Sequence, residues 1–283
     1  MARNIITVGP ELLRLPRRAA DTHKGDYGRL FILAGSRGYT GAAALCARSA
    51  VRGGAGLVTL AVPEDIYPIT AVKCDEAMVW PWPEDDGAVL EKARGCDAAL
   101  IGPGLGQGER ARRLVLALLR ELDCPVILDA DGINIVAGHI DVLDARTGAA
   151  VLTPHEGEFS RLTGCPLPVR DRAGMARWFA QAHRCTLVLK GHRTVTAFPD
   201  GTCAVNPTGN PGMARGGSGD ALAGLMAALA AQGLDNAVPA AVWLHGRAGD
   251  LAAADKGEYG MTVGDLIEQI PYAIKELTEN RED

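Results

Sequence analysis

Short apolar runs rich in Val, Leu, Ile and Ala recur along this chain with helix-like stretches between them, and that alternation restricts the fold more than any other feature. The runs are 29–34, 57–62, 77–80, 98–101, 126–128, 150–152, 186–189, 194–197 and 203–206. Most are continuously apolar, as expected of strands buried on both faces. Helical patterns cover 41–52, 109–122, 156–163 and 171–183, and the tail from Gly217 onward is almost wholly helical. Strand and helix in repeated alternation specify a mostly parallel sheet covered by helices, an α/β architecture. The stretch 194–206 departs from the pattern: two strand-like runs flank Pro199-Asp200-Gly201, a turn signal, so a hairpin is expected at this end of the sheet. No long linker or repeat interrupts residues 1–283, and Glu84 to Gly87, the most polar stretch, reads as a surface loop; a single domain is expected.

Composition narrows the function classes. A chain of 283 residues with 47% hydrophobic side chains can bury a large core, while 5% aromatics beside 35 glycines favour close helix-on-sheet packing. A net charge of −5 argues against a nucleic-acid surface, so an anionic ligand would have to be held by local loops. The seven cysteines (46, 74, 96, 124, 165, 185 and 203) form no CxxC pair and are odd in number, which reads as reduced, mostly buried thiols of a cytoplasmic protein. Residues 1–20 carry Arg14, Arg17 and Arg18 without an apolar core, and no long apolar window follows, so neither a signal peptide nor a membrane span is expected.

The loop from Asn210 to Asp220 runs directly into the alanine-rich stretch 221–231. Glycines let successive amides turn toward one point, and the first turn and dipole of a following helix add positive potential there. Gly216, Gly217, Ser218 and Gly219 therefore read as an anion hole able to hold a phosphate. Asp220, the one side-chain charge at the helix mouth, should be kept ionised by that potential and able to accept a proton. A phosphate cradle beside a carboxylate base suggests phosphoryl transfer to a hydroxyl; the competing reading is a capped Gly-rich turn.

Other loops fall at strand ends, where open α/β sheets bind ligands. Ile101 to Gly106 follows a strand but lacks the last glycine of a dinucleotide fingerprint, since Gln107 stands there; Gly35 to Gly41 resembles a P-loop, but Ala42 replaces its lysine. In 152–158, Thr153 reads as a helix cap with Pro154 at the first helical position, and His155 either belongs to that helix start or holds a ligand carboxamide or phosphate. Lys190 to Thr194 forms a compact set of donors at the hairpin, suited to a ribose or phosphate or simply a solvated turn. His23, His139, His183 and His245 read as structural, since no pair has zinc-ligand spacing with a third candidate.

Together these segments closely resemble one family. His23-Lys24-Gly25-Asp26-Tyr27-Gly28, Leu33 to Ser36, Thr40 to Ala43, Gly54 to Val58, Gly102 to Gly106, Leu128 to Asn134, Thr153 to Glu158, Lys190-Gly191 and Asn210 to Asp220 are similar, in order and over almost the whole chain, to the ADP- or ATP-dependent NAD(P)H-hydrate dehydratases of the ribokinase-like superfamily. His155 stands where small-alcohol kinases of that superfamily tend to carry Asn. Gly132 and Arg215 depart from the usual pattern without removing a group the chemistry needs.

The resemblance implies a three-layer α/β/α sandwich and dehydration of the S epimer of hydrated NADH or NADPH. It assigns Asp220 as base, Lys190, Gly191, His192, Arg193, Thr194 and Gly219 to ADP or ATP, and Ala43, Gly106, Asn134, His155 and Asp220 to the hydrated dinucleotide. Mg²⁺ is the implied metal, with Glu158 orienting its waters. A homotetramer is implied as well. About 25 residues precede the first matching segment, too few for the epimerase domain that some bacterial members carry, so a separate epimerase is the expected partner. The alternatives are a small-alcohol kinase of the hydroxyethylthiazole type, which uses the same hole and base but releases a stable phosphorylated product, and a non-catalytic nucleotide-binding protein.

Overall fold

The computed structural model describes residues 5–279. Its strands are β1 (Ile5–Thr7), β2 (Arg29–Leu33), β3 (Leu57–Val62), β4 (Met78–Pro81), β5 (Ala98–Ile101), β6 (Val126–Leu128), β7 (Ala150–Leu152), β8 (Thr186–Leu189), β9 (Val195–Ala197) and β10 (Cys203–Val205). They form one sheet in the order β1-β10-β9-β8-β7-β6-β5-β2-β3-β4. Every neighbouring pair is parallel except β8 with β9 and β9 with β10, so 194–206 is the hairpin its turn signal predicts.

Successive side chains of each strand enter two different cores. Leu30, Ile32, Val58, Leu60, Leu100 and Ile127 pack with α1 (Thr40–Arg52), α9 (Ser218–Ala231), α10 (Ala237–Gly260) and α11 (Val263–Glu279). Phe31, Leu33, Ala61, Ile101, Leu128 and Leu152 face the other way, against α3 (Asp86–Arg94), α4 (Glu109–Glu121), α5 (Asp131–Val136), α7 (Glu156–Thr163) and α8 (Arg172–Ala182). The shorter α2 (Tyr67–Lys73) and α6 (Asp141–Asp144) complete the helices. This is the expected three-layer α/β/α sandwich.

Two sequence expectations change. β1 carries no strand pattern, and all three residues are exposed; it exists because Ile5 to Thr7 pair with Cys203 to Val205 of β10. The stretch 84–87 is not simply a loop, since the Asp85 carboxylate accepts from the Gly87 N–H at 2.9 Å and starts α3 at Asp86.

Helix α9 does most to position the site. It is apolar on every side, with ten of its residues buried, which is the signature of a helix inside the protein rather than on it. Gly224 permits that depth: a Cβ there would fall 2.2 Å from the carbonyl oxygen of Cys46 on α1. The dipole of α9 is therefore less screened than that of a surface helix.

Candidate active site

The carboxyl ends of β2, β5, β6, β7 and β8 all open on one edge of the sheet, and chain order reverses where β2 lies between β3 and β5. Open α/β sheets bind ligands at such a switch point. The loops there are knitted together: the Gly35 N–H donates to Pro103 O at 2.9 Å, and the Ser36 hydroxyl donates to Gly104 O at 2.8 Å. Gly102, at φ +125°, is the one residue type that fits its place, since a Cβ would lie 2.0 Å from Asp129 O. Ala43 lies buried beneath Gly35, whose Cβ would meet it at 2.9 Å.

Asp131 gathers two of the residues assigned to the hydrated dinucleotide. Its carboxylate accepts from the Gly106 N–H at 2.8 Å and from Asn134 Nδ2 at 3.3 Å, with Gln107 Nε2 at 3.2 Å.

A buried charge cluster lies alongside. Lys190 Nζ donates to Asp129 Oδ1 at 2.7 Å and stands 3.8 Å from Glu158 Oε2. Asp129 also accepts from the Thr153 hydroxyl at 2.7 Å. Burial alone would lower the lysine pKa, but Asp129, Glu158 and Asp220 together outweigh it and hold the ammonium above its usual range. Glu158 is fixed by α7, which Phe159 anchors edge-to-face against Phe179 of α8 at 5.9 Å. Its Oε2 accepts from the His155 N–H at 2.8 Å, while the His155 Nδ1 accepts from the N–H groups of Gly157 and Glu158 at 3.0 and 3.2 Å. An accepting Nδ1 places the imidazole proton on Nε2, which faces Glu158 Oε1 at 3.5 Å. His155, not Thr153, is thus the cap of α7, and Glu156 rather than Pro154 is its first residue.

The loop before α9 is held from α10. Thr208 Oγ donates to Trp243 O at 2.9 Å, and the Asp250 carboxylate accepts from Gly209 N–H at 3.0 Å and Asn210 Nδ2 at 3.1 Å. Gly217, at φ +96°, turns the chain into the helix. The first backbone bond of α9 is from Ala221 N–H to Gly217 O, so the Gly219 and Asp220 amides face the helix mouth. Lys190 reaches the same place, its Nζ 3.2 Å from where a Gly219 Cβ would sit. Burial, joined by Asp129 and Glu158 and only partly opposed by Lys190, pushes the Asp220 carboxyl up to about 6. The shift runs against the helix potential, and a carboxyl at about 6 still remains mostly ionised at neutral pH.

A family model described as NAD(P)H-hydrate dehydratase matches residues 30–272. The chain belongs to the NAD(P)H-hydrate dehydratase family. It is 43% identical, over 99% of its own length, to the bifunctional NAD(P)H-hydrate repair enzyme Nnr of Moorella thermoacetica, of which it covers 55%. It is 38% identical to the ADP-dependent (S)-NAD(P)H-hydrate dehydratase of Bacillus subtilis, covering 92% of this chain and 94% of that one. A crystal structure of the ADP/ATP-dependent NAD(P)H-hydrate dehydratase from Bacillus subtilis, co-crystallized with ATP/Mg²⁺, superimposes with a TM-score of 0.84 at 36% identity over 98% of this chain and 100% of that chain. The chain thus spans about half the length of the bifunctional relatives it matches.

Within this dehydratase fold the other expected nucleotide residues lie at one rim. Gly191, His192 and Arg193 are exposed beside the half-buried Lys190 and Thr194. Arg172 of α8 shapes that loop, donating to Leu189 O and Lys190 O from one nitrogen and to His192 O from the other. Arg215 is held by its own loop, its Nε bound to Gly212 O at 3.0 Å.

Sequence reasoning did not assign Asp129, Asp131 or Arg172 to the site. A carboxylate directly after a buried strand was the available signal for Asp129 and for nearby Asp131; nothing in the sequence marked Arg172. His245, read as structural, sits buried on α10 with Nε2 3.5 Å from the Ser218 hydroxyl at the start of α9. Burial takes its pKa down to about 4, so it is a neutral partner there.

Proposed function

We propose that this chain restores NADH and NADPH from the S epimers of their hydrates, consuming ADP or ATP, as a nucleotide-dependent lyase. The observation that carries the reading is Asp220, a carboxyl raised to about 6 at the mouth of a buried, glycine-led helix. Hydroxide is a poor leaving group, and phosphorylation of the C6 hydroxyl converts it to phosphate. Asp220 takes the hydroxyl proton as oxygen attacks the terminal phosphorus and AMP or ADP leaves. The amides of Gly216, Gly217 and Gly219 hold the transferring group, a positioning and electrostatic task, while the Ser218 N–H is bonded to Arg215 O at 3.3 Å. The ring nitrogen then expels phosphate, and loss of the C5 proton reforms the dihydropyridine.

Lys190 to Thr194 and Gly219 contact the adenine nucleotide in this reading, and Ala43, Gly106, Asn134, His155 and Asp220 contact the hydrate. Three carboxylates, Asp129, Glu158 and Asp220, surround one lysine in the cluster, a charge surplus suited to a divalent cation. In this reading Mg²⁺ is carried by the nucleotide phosphates, with waters oriented by Glu158. Mg²⁺ would neutralise charge on the phosphates. The rest of the reading is a single-domain cytoplasmic homotetramer that works with an NAD(P)H-hydrate epimerase; among the described residues no helix is long and apolar enough to cross a membrane.

The test incubates the protein with hydrated NADH, Mg²⁺ and either nucleotide and follows recovery of the dihydronicotinamide absorbance. Recovery of the S-epimer fraction, with phosphate released in equal amount, is expected. A stable phosphorylated product without recovered absorbance would mark a small-alcohol kinase instead.

A further inference from the structure

We propose that Arg161 binds a phosphate group of the nicotinamide dinucleotide, an inference that rests on the dehydratase reading above. Arg161 lies in the second turn of α7, and helical side chains lean toward the N-terminus of their helix, here back toward the site. Its Nε donates to Asn134 Oδ1 at 2.9 Å. One guanidinium nitrogen comes within 3.9 Å of the point where a Gly157 Cβ would sit, and the His155 ring comes within 2.9 Å of that same point. Guanidinium, imidazole and the Asn134 amide therefore share one patch of the rim. A chain of bonds continues from Arg161 through Asn134 and Asp131 to the Gly106 N–H. That chain links α7 to the loop after β5 through three of the residues proposed to contact the hydrate or to hold such a contact.

Arg161 is exposed, and among the described residues it has no carboxylate partner. The acids around it are committed elsewhere: Glu156 to Arg172 Nε at 3.3 Å, Glu158 to the His155 N–H, and Asp131 to Gly106, Gln107 and Asn134. Both terminal guanidinium nitrogens thus remain available, side by side in a plane. That fork matches two oxygens of one phosphate. Of the other cations near the site, Lys190 is engaged by Asp129 and Arg37 by Asp65 at 3.5 Å, while the exposed Arg193 lies on the rim assigned to the adenine nucleotide. The α9 amides hold the transferring phosphoryl group, so the dinucleotide's own phosphates need a separate anchor. On a chain of net charge −5 that anchor has to be local. The ligand group is the pyrophosphate common to both hydrates or the 2′-phosphate of hydrated NADPH.

The experiment measures kcat and KM for hydrated NADH and hydrated NADPH, with ADP and Mg²⁺, in the wild type, Arg161→Gln and Arg161→Lys. A calorimetric titration with NADP⁺ accompanies it as a readout independent of turnover. Gln keeps a donor for Asn134 and removes the charge, so it separates anion binding from a purely structural strut. The expected result is a roughly ten- to hundredfold rise in KM and a matching loss of NADP⁺ affinity in Arg161→Gln, with kcat and the KM for ADP unchanged and with partial recovery in Arg161→Lys. An equal rise for both hydrates identifies the pyrophosphate, and a rise confined to hydrated NADPH identifies the 2′-phosphate. Unchanged KM and NADP⁺ affinity, or a loss of ADP affinity alone, would overturn the proposal. A wild type that binds NADP⁺ but dehydrates neither hydrate would sink the dehydratase reading, while the titration still decides whether Arg161 holds phosphate.

Discussion

Replacing Asp220 by Asn should stabilise this protein while removing its activity. The carboxyl rises from 3.8 to about 6 on folding, first through burial and then through Asp129 and Glu158. At 1.36 kcal/mol per pKa unit, the ionised side chain costs the folded state about 3 kcal/mol, an upper figure for a group among other buried charges. Because the folded value lies above the unfolded one, the cost is absent below about pH 4, where both states are protonated, and complete above about pH 6. Asn keeps the shape without the charge. Melting temperature should therefore rise by roughly 5 °C at pH 8 and converge on the wild type toward pH 4. Turnover should fall by about 10² to 10⁴, the usual contribution of a general base. Thermal melts of both proteins across that pH range, with steady-state rates at pH 8, make the assay. A variant no more stable at pH 8 than at pH 4.5, relative to wild type, would show that the carboxylate is not held in a low-dielectric site. Retention of more than about a tenth of the activity would refute Asp220 as the base.

The same carboxyl should set the acid limb of the rate profile: kcat/KM rises about tenfold per pH unit up to about 6 and flattens above, and a plateau already reached by pH 4.5 would point to a different base. Gly217→Ala should lower ADP affinity more than Gly219→Ala does, because Gly217 sits at φ +96° with its Cβ position 2.6 Å from Leu45, whereas Gly219 meets only the flexible end of Lys190 at 3.2 Å. Calorimetry with ADP decides it, and the reverse order would contradict the loop geometry. His155→Ala should lose about 1 kcal/mol of stability with the cap of α7 and bind the hydrated dinucleotide about tenfold more weakly. Unaltered hydrate binding in denaturation-corrected titrations would leave His155 only its structural part.

Much of the fold was legible in sequence because its strands are buried on both faces. The runs at 57–62, 98–101, 126–128, 150–152 and 186–189 coincide with β3, β5, β6, β7 and β8, and Pro199-Asp200-Gly201 marked the hairpin. The loop entering buried α9 was equally visible, since glycines followed by an alanine-rich run are its local signal. The sequence by itself also determined the family, through motifs spread over most of the chain.

What tertiary structure decided were the properties that depend on distant partners. β1 is a strand only because β10 offers an edge. Thr153 lost the cap of α7 because its hydroxyl is drawn to Asp129, leaving His155 to take the helix amides. Among Gly216, Gly217 and Gly219 at the start of α9 only the folded turn shows which one adopts positive φ, and it is Gly217. The Asp220 pKa moved opposite to the expectation from its helix alone. A helix dipole acts locally and can be read from neighbouring residues, but desolvation and the fields of Asp129, Glu158 and Lys190 come from the end of β6, from α7 and from the end of β8, and only folding brings these together.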